Sequence, residues 1–116
     1  MITVYGIANC DTCRKARRWL TDEGIAHRFH DFRADGLDAK MLAAWVTALG
    51  WETLLNRRGA TWRNLPEAAR DGLTPATATA LMLRHPTLIK RPVFAAGGAV
   101  LVGFSKAEMD TLKARA

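Results

Sequence analysis

The chain has 116 residues, a length typical of one compact domain, and 49% of them are hydrophobic against 24% charged. This composition excludes a disordered chain, and two cysteines are too few for a disulfide scaffold. The net charge of +6 leaves open a nucleic-acid surface, a site for anionic substrates or a basic surface without a partner. Because the cations are scattered and not massed in one block, we expect no direct DNA binding.

The first third of the chain has the pattern of a βαβ unit. Residues 2–5 form a β-rich run that ends at Gly6, and an apolar spacing of three and four residues predicts a helix from about 14 to 23. Asn9, Asp11 and Thr12 are candidate N-cap residues for that helix. Residues 25–32 form a second strand candidate, and a helical crossover of this length predicts that the two strands are parallel.

The middle of the chain is predominantly helical. Helical patterns are predicted over 38–49, 51–55, 66–71 and 74–85, with a loop at 56–59. The last of these begins with a threonine and a proline, a common helix start. We therefore predict a helical insertion over about residues 38–85.

The end of the chain returns to strands. Two short β-rich runs flank Gly97-Gly98, which predicts a hairpin, and Ser105 with Glu108 three residues later predicts a capping box for a last helix. The whole order predicts an α/β protein of one domain, residues 1–116, in which a mixed four-stranded sheet carries the helices.

Cys10 and Cys13 are the candidate reactive residues. They lie three residues apart at the start of the first helix, where the helix dipole stabilises a thiolate and one turn brings the two side chains to the same face. Arg14 adds positive potential, and Asp11 opposes it. A metal site would need further ligands, and the three histidines have no matching spacing, so no metal is expected. Cys13 lies on the apolar side of the helix, so it is either a resolving thiol or a buried, inert one.

The location is expected to be cytoplasmic. No apolar run approaches the roughly 18 residues that span a bilayer, and the first residues lack the pattern of a secretory signal. We therefore expect no membrane partner, and in a reducing compartment a close cysteine pair favours redox chemistry over a structural disulfide.

Three ordered motifs carry a resemblance to the arsenate reductase/Spx family. They are YGIANCDTCRKA at residues 5–16, LLNRRGATWR at 54–63 and HPTLIKRP at 85–92. The chain most resembles the small Spx/MgsR-like branch, whose members are described as glutathione-dependent thiol reductases. The resemblance implies a thioredoxin-like (glutaredoxin-like) fold with a helical insertion.

The resemblance also implies roles for individual residues. Cys10 corresponds to the nucleophile, Arg58 and Arg91 correspond to arginines that hold an oxyanion or glutathione, and Pro92 corresponds to a cis-proline beside the thiol. The implied catalytic residues are Cys10, Cys13, Arg58 and Arg91. The implied substrate or glutathione-binding residues are Asn9, Thr12, Arg14, Arg58, Arg91 and Pro92.

One departure bears on the substrate. Arsenate reductases of this type carry a third arginine near the position of Gly103-Phe104, so arsenate reduction is doubtful for this chain. We expect a monomeric thiol oxidoreductase with glutathione as co-substrate and no bound cofactor. The alternative is a regulator like Spx, in which Cys10 and Cys13 form a redox switch and the partner is RNA polymerase.

Overall fold

In a computed structural model, residues 1–116 are all described and divide into two compact units. The first unit comprises residues 1–36 and 91–116, and the second comprises residues 37–90. The strands are β1 (Ile2–Gly6), β2 (His27–Asp31), β3 (Val93–Ala96) and β4 (Ala99–Val102). The helices are α1 (Asp11–Asp22), α2 (Ala39–Leu49), α3 (Trp51–Leu54), α4 (Ala60–Arg63), α5 (Glu67–Arg70), α6 (Pro75–Arg84) and α7 (Lys106–Ala114).

The first unit contains a mixed four-stranded sheet with the strand order β2-β1-β3-β4. β1 pairs with β2 in parallel, with Val4 opposite Phe29, which confirms the parallel βαβ unit. β1 and β3 are antiparallel, and so are β3 and β4, whose turn is Gly97-Gly98 as predicted. The predicted fold class, a mixed four-stranded α/β sheet, is therefore confirmed.

Helices α1 and α7 share an apolar core with this sheet. α1 turns a face of three buried side chains, Cys13, Ala16 and Leu20, away from solvent. Glu108 accepts hydrogen bonds from the backbone N–H of Ser105 at 2.8 Å and from its hydroxyl at 2.7 Å, so the predicted start of α7 is confirmed. The core cluster consists of Ile2, Val4, Ala16, Leu20, Ile25, Phe94, Ala96 and Leu112.

The second unit is helical, and its two ends are joined by backbone hydrogen bonds. Leu55 and Ile89 form an isolated antiparallel bridge, supported by bonds from the N–H of Asn56 to the Leu88 carbonyl at 2.7 Å and from the N–H of Lys90 to the Leu54 carbonyl at 2.8 Å. Pro86–Leu88 is a single turn of 3-10 helix. α4 was not predicted at all, because four residues are too short a run to show helical periodicity.

None of the helices has the combination of length and apolar character that a membrane-spanning segment needs.

Gly6 stands at the end of β1 because the adjacent helix leaves no room for a side chain. A Cβ built at Gly6 would overlap Cys13 Sγ, whereas the other atoms nearest to it, Cys13 Cβ at 3.6 Å and Phe29 Cε1 at 3.7 Å, lie at ordinary contact distance. The close approach of β1 to α1 therefore depends on the glycine and on the cysteine sulfur together.

Gly6→Ala is expected to lower the free energy of unfolding by about 1–3 kcal/mol, the usual cost of overpacking. In the Cys13→Ala background the same substitution should cost little, since only ordinary contacts remain. Denaturant unfolding of the four proteins of this double-mutant cycle measures the coupling. Equal costs of Gly6→Ala in both backgrounds would show that the sulfur is not what excludes a side chain.

Candidate functional site

Cys10 is the N-cap residue of α1. Its backbone is extended, with φ −142° and ψ 121°, and its carbonyl oxygen accepts the N–H of Arg14 at 3.0 Å, the first hydrogen bond of the helix. The prediction that Asn9, Asp11 or Thr12 caps this helix is therefore wrong. No side-chain oxygen caps α1. The sulfur atom thus occupies the position at which a capping oxygen would meet the unpaired N–H groups.

The surroundings of Cys10 hold its pKa below the ordinary value of a thiol. Burial alone would raise the pKa, because it disfavours the charged form. Hydrogen bonds from the backbone N–H and the S–H of Cys13, a hydrogen bond from the Arg91 guanidinium and the positive charge of Arg91 together outweigh burial. The half-buried Cys10 is consequently the group in this site that forms a thiolate most readily.

Cys13 has the opposite character. Its side chain is fully buried against Gly6, and its pKa is raised to about 11, chiefly by that burial. The hydrogen bond to Cys10 and the charge on Cys10 contribute to this rise, whereas a hydrogen bond from the Ile7 backbone and the charge of Arg91 oppose it. At neutral pH Cys13 is therefore a protonated thiol that donates its S–H to Cys10.

Arg91 and Pro92 join the cysteines in the first unit. The Arg91–Pro92 peptide bond is cis, as the resemblance implies, and Pro92 is buried. The Pro92 carbonyl accepts the N–H of Gly103 at 2.9 Å. Gly103 has a φ of +92°, a conformation that L side chains rarely adopt, so the backbone at this position favours glycine.

Asp31, at the end of β2, is a site residue that the sequence analysis missed. Its carboxylate accepts the backbone N–H of Ala8 at 2.9 Å, and also those of Arg33 at 2.7 Å and Ala34 at 3.2 Å. Asp31 thereby ties the loop before Cys10 to the turn after β2. No sequence pattern predicts this contact, because it joins residues 23 positions apart.

Asp31→Asn is expected to lower the free energy of unfolding at pH 7 by about 1 kcal/mol, since an amide cannot accept all three N–H bonds. Burial raises the pKa of Asp31, but the three backbone bonds and Arg33 hold it below the ordinary value. The contribution is therefore present above the unfolded-state pKa of about 3.9 and is lost as the pH falls through the lower folded-state value.

Urea unfolding of the parent and of Asp31→Asn across this pH range tests the prediction. The control is Asp35→Asn, because the Asp35 carboxylate accepts a single backbone hydrogen bond in this turn, from the N–H of Asp31 at 2.9 Å. A stability difference for Asp31→Asn that does not shrink in acid would contradict the assigned cause.

The remaining predicted residues near Cys10 are exposed. Asn9 and Thr12 flank the cysteine on the surface. Arg14 is also exposed and pairs with Asp11 one turn earlier on the helix. The pairing means that Asp11 opposes the positive potential less than an unpaired carboxylate would.

Arg58 lies in the second unit, on the loop between α3 and α4. Its N–H donates to Asn56 Oδ1 at 3.0 Å, and Arg63 Nη1 donates to its carbonyl at 2.7 Å, so the loop backbone is held on both sides. The Arg58 side chain is exposed and lines a pocket of about 300 Å³ together with Arg57, Lys90 and the carboxylate of Glu52. Three cations against one carboxylate give this pocket a net positive charge, which an anionic group would need.

The described residues include no group of three or more His, Cys, Asp or Glu side chains that could hold a metal ion. The first unit brings together a thiolate at Cys10, a thiol donor at Cys13 and a guanidinium at Arg91. Such a set suits nucleophilic attack on sulfur or the binding of an anion.

Comparisons with known proteins agree on one family. The family model of the ArsC family matches residues 5–112. An uncharacterised protein of Haemophilus influenzae is 49% identical over 93% of this chain and 95% of its own length. The global transcriptional regulator Spx of Streptococcus agalactiae is 27% identical over 94% of this chain and 80% of its own length.

Solved structures give the same picture of the fold. A protein named YffB superposes with a TM-score of 0.91 at 45% identity, covering 97% of this chain and 98% of that one. A glutaredoxin of Archaeoglobus fulgidus superposes with a TM-score of 0.51 at 13% identity, covering 97% of this chain and 84% of that one. This second likeness concerns the fold alone, and it places the sheet and helices in the glutaredoxin-like class.

Proposed function

Because this chain belongs to the ArsC family, we propose that it is a thiol oxidoreductase in which the Cys10 thiolate attacks a mixed disulfide of glutathione. The observation that carries the proposal is the contrast between two neighbouring thiols: the pKa of Cys10 is lowered, and that of Cys13 is raised to about 11. A cysteine that only fills space in the core needs no neighbouring groups that stabilise its thiolate.

The first step joins Cys10 to glutathione. The thiolate attacks the glutathione sulfur of a substrate mixed disulfide, a Cys10–glutathione disulfide forms, and the substrate sulfur leaves as a thiolate that takes a proton from water. In the second step a free glutathione thiolate attacks that disulfide, which restores the Cys10 thiolate and releases oxidised glutathione. One mixed disulfide and one glutathione are consumed, and one substrate thiol and one glutathione disulfide are produced.

External glutathione, and not Cys13, is the resolving thiol in this proposal. A thiol with a pKa of about 11 is almost wholly protonated at pH 7, and its burial limits access of a second sulfur. Cys13 instead stabilises the Cys10 thiolate by donating its S–H.

Arg91 stabilises the thiolate and orients the anionic partner, and Arg58 is proposed to bind an anionic group in the pocket of the second unit. Asn9, Thr12, Arg14 and Pro92 are proposed as the surrounding binding residues. Arsenate is not the proposed substrate, because a glycine stands at position 103, where no guanidinium can hold a third oxyanion oxygen. The protein is proposed to act as a monomer in the cytoplasm, where the glutathione pool keeps thiols reduced.

Turnover of a glutathione mixed disulfide, coupled to glutathione reductase and NADPH, tests the proposal. Cys13→Ser should retain most of the parent rate, because a hydroxyl still donates a hydrogen bond and glutathione still resolves the intermediate. The absence of turnover in the parent protein over pH 6–9 would overturn the enzyme proposal, and loss of turnover in Cys13→Ser would assign the resolving step to Cys13.

A second candidate is a redox-switched regulator. Several proteins named global transcriptional regulator Spx align with 94% of this chain at 25–28% identity, and the chain has the Cys10–Cys13 spacing of a switch. This candidate predicts binding to RNA polymerase that differs between the reduced protein and one oxidised with diamide. Equal or absent binding in both states would rule it out.

A further inference from the structure

The outer face of α1 is strongly basic. Four of the five residues from 14 to 18 are cations, and the fifth, Ala16, is fully buried. Arg14, Lys15 and Arg18 are exposed, and neither Lys15 nor Arg18 has an ion-pair partner in the structure. The proposed chemistry at Cys10 does not require so many cations on the helix that follows the reactive thiol.

These cations line two hollows, of about 240 Å³ and 300 Å³, and Arg14 and Arg18 border both of them. Lys15 also borders the first hollow, and Arg17 also borders the second. We call the surface formed by these four residues the α1 groove. Asp11 is the one carboxylate among the lining residues of either hollow, and it is paired with Arg14.

We infer that the α1 groove docks an acidic segment of a protein substrate whose disulfide Cys10 attacks. This inference rests on the proposed function and specifies its substrate class. Arg14 and Arg18 lie four and eight residues beyond Cys10, which is about 6 Å and 12 Å along a helix axis. An extended peptide covers about 3.3 Å per residue, so carboxylates two and four residues from the substrate cysteine reach these guanidinium groups.

The groove suits an acidic peptide better than a nucleic acid. Neither hollow is lined by Phe, Tyr or Trp, so the His27 ring at the second hollow is the one aromatic surface on which a base could stack. The Phe29 ring nearby is covered by the Arg17 guanidinium, 4.1 Å from its centroid.

Binding of designed peptides tests this inference without relying on catalysis. A fluorescent nine-residue peptide with serine at its centre in place of cysteine, and glutamate at the second and fourth positions on each side, is compared with its glutamine counterpart by anisotropy. Two exposed ion pairs predict about fivefold tighter binding of the glutamate peptide at 50 mM salt, and loss of that preference at 500 mM.

The expected effect of Arg18→Glu is to abolish the preference. Lys40→Glu, an exposed cation on α2 that changes the net charge equally, should leave it intact. Equal binding of the two peptides, or a preference that survives Arg18→Glu, would overturn the inference. Tighter binding of a thymidine octanucleotide than of the glutamate peptide, if lost in Arg18→Glu, would also overturn it and assign the groove to nucleic acid.

The cysteine-containing peptides, as glutathione mixed disulfides, separate this inference from the proposed function. Two results together support the inference and the proposed function. The parent reduces the glutamate peptide faster than the glutamine peptide, and the parent and Arg18→Glu reduce the neutral bis(2-hydroxyethyl) disulfide at equal rates. Preferred binding of the glutamate peptide without reduction of any disulfide would overturn the proposed function alone.

Discussion

Replacing Cys10 with serine is expected to abolish glutathione-dependent reduction of disulfides. A serine hydroxyl is not ionised at neutral pH and cannot form the mixed disulfide, so the loss should exceed about 1,000-fold. The fold should persist, because Cys10 is only half-buried and serine is a favourable residue at its N-cap position. The coupled assay described above measures the rate, and far-ultraviolet circular dichroism verifies the fold.

Cys13→Ser is the matched control, because it also replaces a side-chain sulfur with oxygen, three residues further along the chain. After reaction with a glutathione mixed disulfide, mass spectrometry should find one glutathione on Cys10 in the Cys13→Ser protein and none in Cys10→Ser. A Cys10→Ser protein that still turns over, or that carries glutathione on Cys13, would show that the nucleophile has been wrongly assigned.

Arg91→Gln is expected to raise the pKa of Cys10, because a nearby positive charge favours the thiolate. The substitution removes a hydrogen bond and a positive charge from the thiolate. The pH–rate profile should shift toward alkaline pH. The rate at pH 7 should fall by no more than about threefold, because the greater nucleophilicity of a more basic thiolate partly offsets the smaller thiolate fraction.

Two further variants distinguish charge from geometry. Arg91→Lys keeps the charge but loses the planar guanidinium, so it should preserve most of the pKa shift and raise KM for glutathione. Lys106→Gln removes an exposed cation that pairs with Asp110 and should leave the profile unchanged. An unshifted profile in Arg91→Gln would contradict the role given to Arg91.

The order of the elements in the first unit could be predicted from the sequence because its signals are local. The strand runs around α1, the Gly97-Gly98 turn and the Ser105–Glu108 capping box each lie within a few residues. The N-cap of α1 was predicted wrongly because Asn9, Asp11 and Thr12 are favoured N-cap residues and cysteine is not. The hydrogen bonds that Cys13 and Arg91 donate to Cys10 are visible only in the structure.

Contacts between distant residues could not be predicted from the sequence. The bond from Ala8 to Asp31 and the bridge from Leu55 to Ile89 join residues that no periodicity relates. The exclusion of a side chain at Gly6 by Cys13 likewise depends on how closely β1 and α1 pack. The hydrogen bond from Arg91 to Cys10 was anticipated only through the family resemblance, because 81 positions separate the two residues in the chain.

Absorbance at 240 nm against pH, recorded for the parent, Cys10→Ser and Cys13→Ser, tests the central assignment most directly. We predict a first thiolate step below the ordinary pKa of about 8.5, present in Cys13→Ser and absent in Cys10→Ser. A second step near pH 11 should belong to Cys13. A Cys10 pKa at or above about 8.5, or a low step that persists in Cys10→Ser, would contradict the assignment of Cys10 as an activated nucleophile.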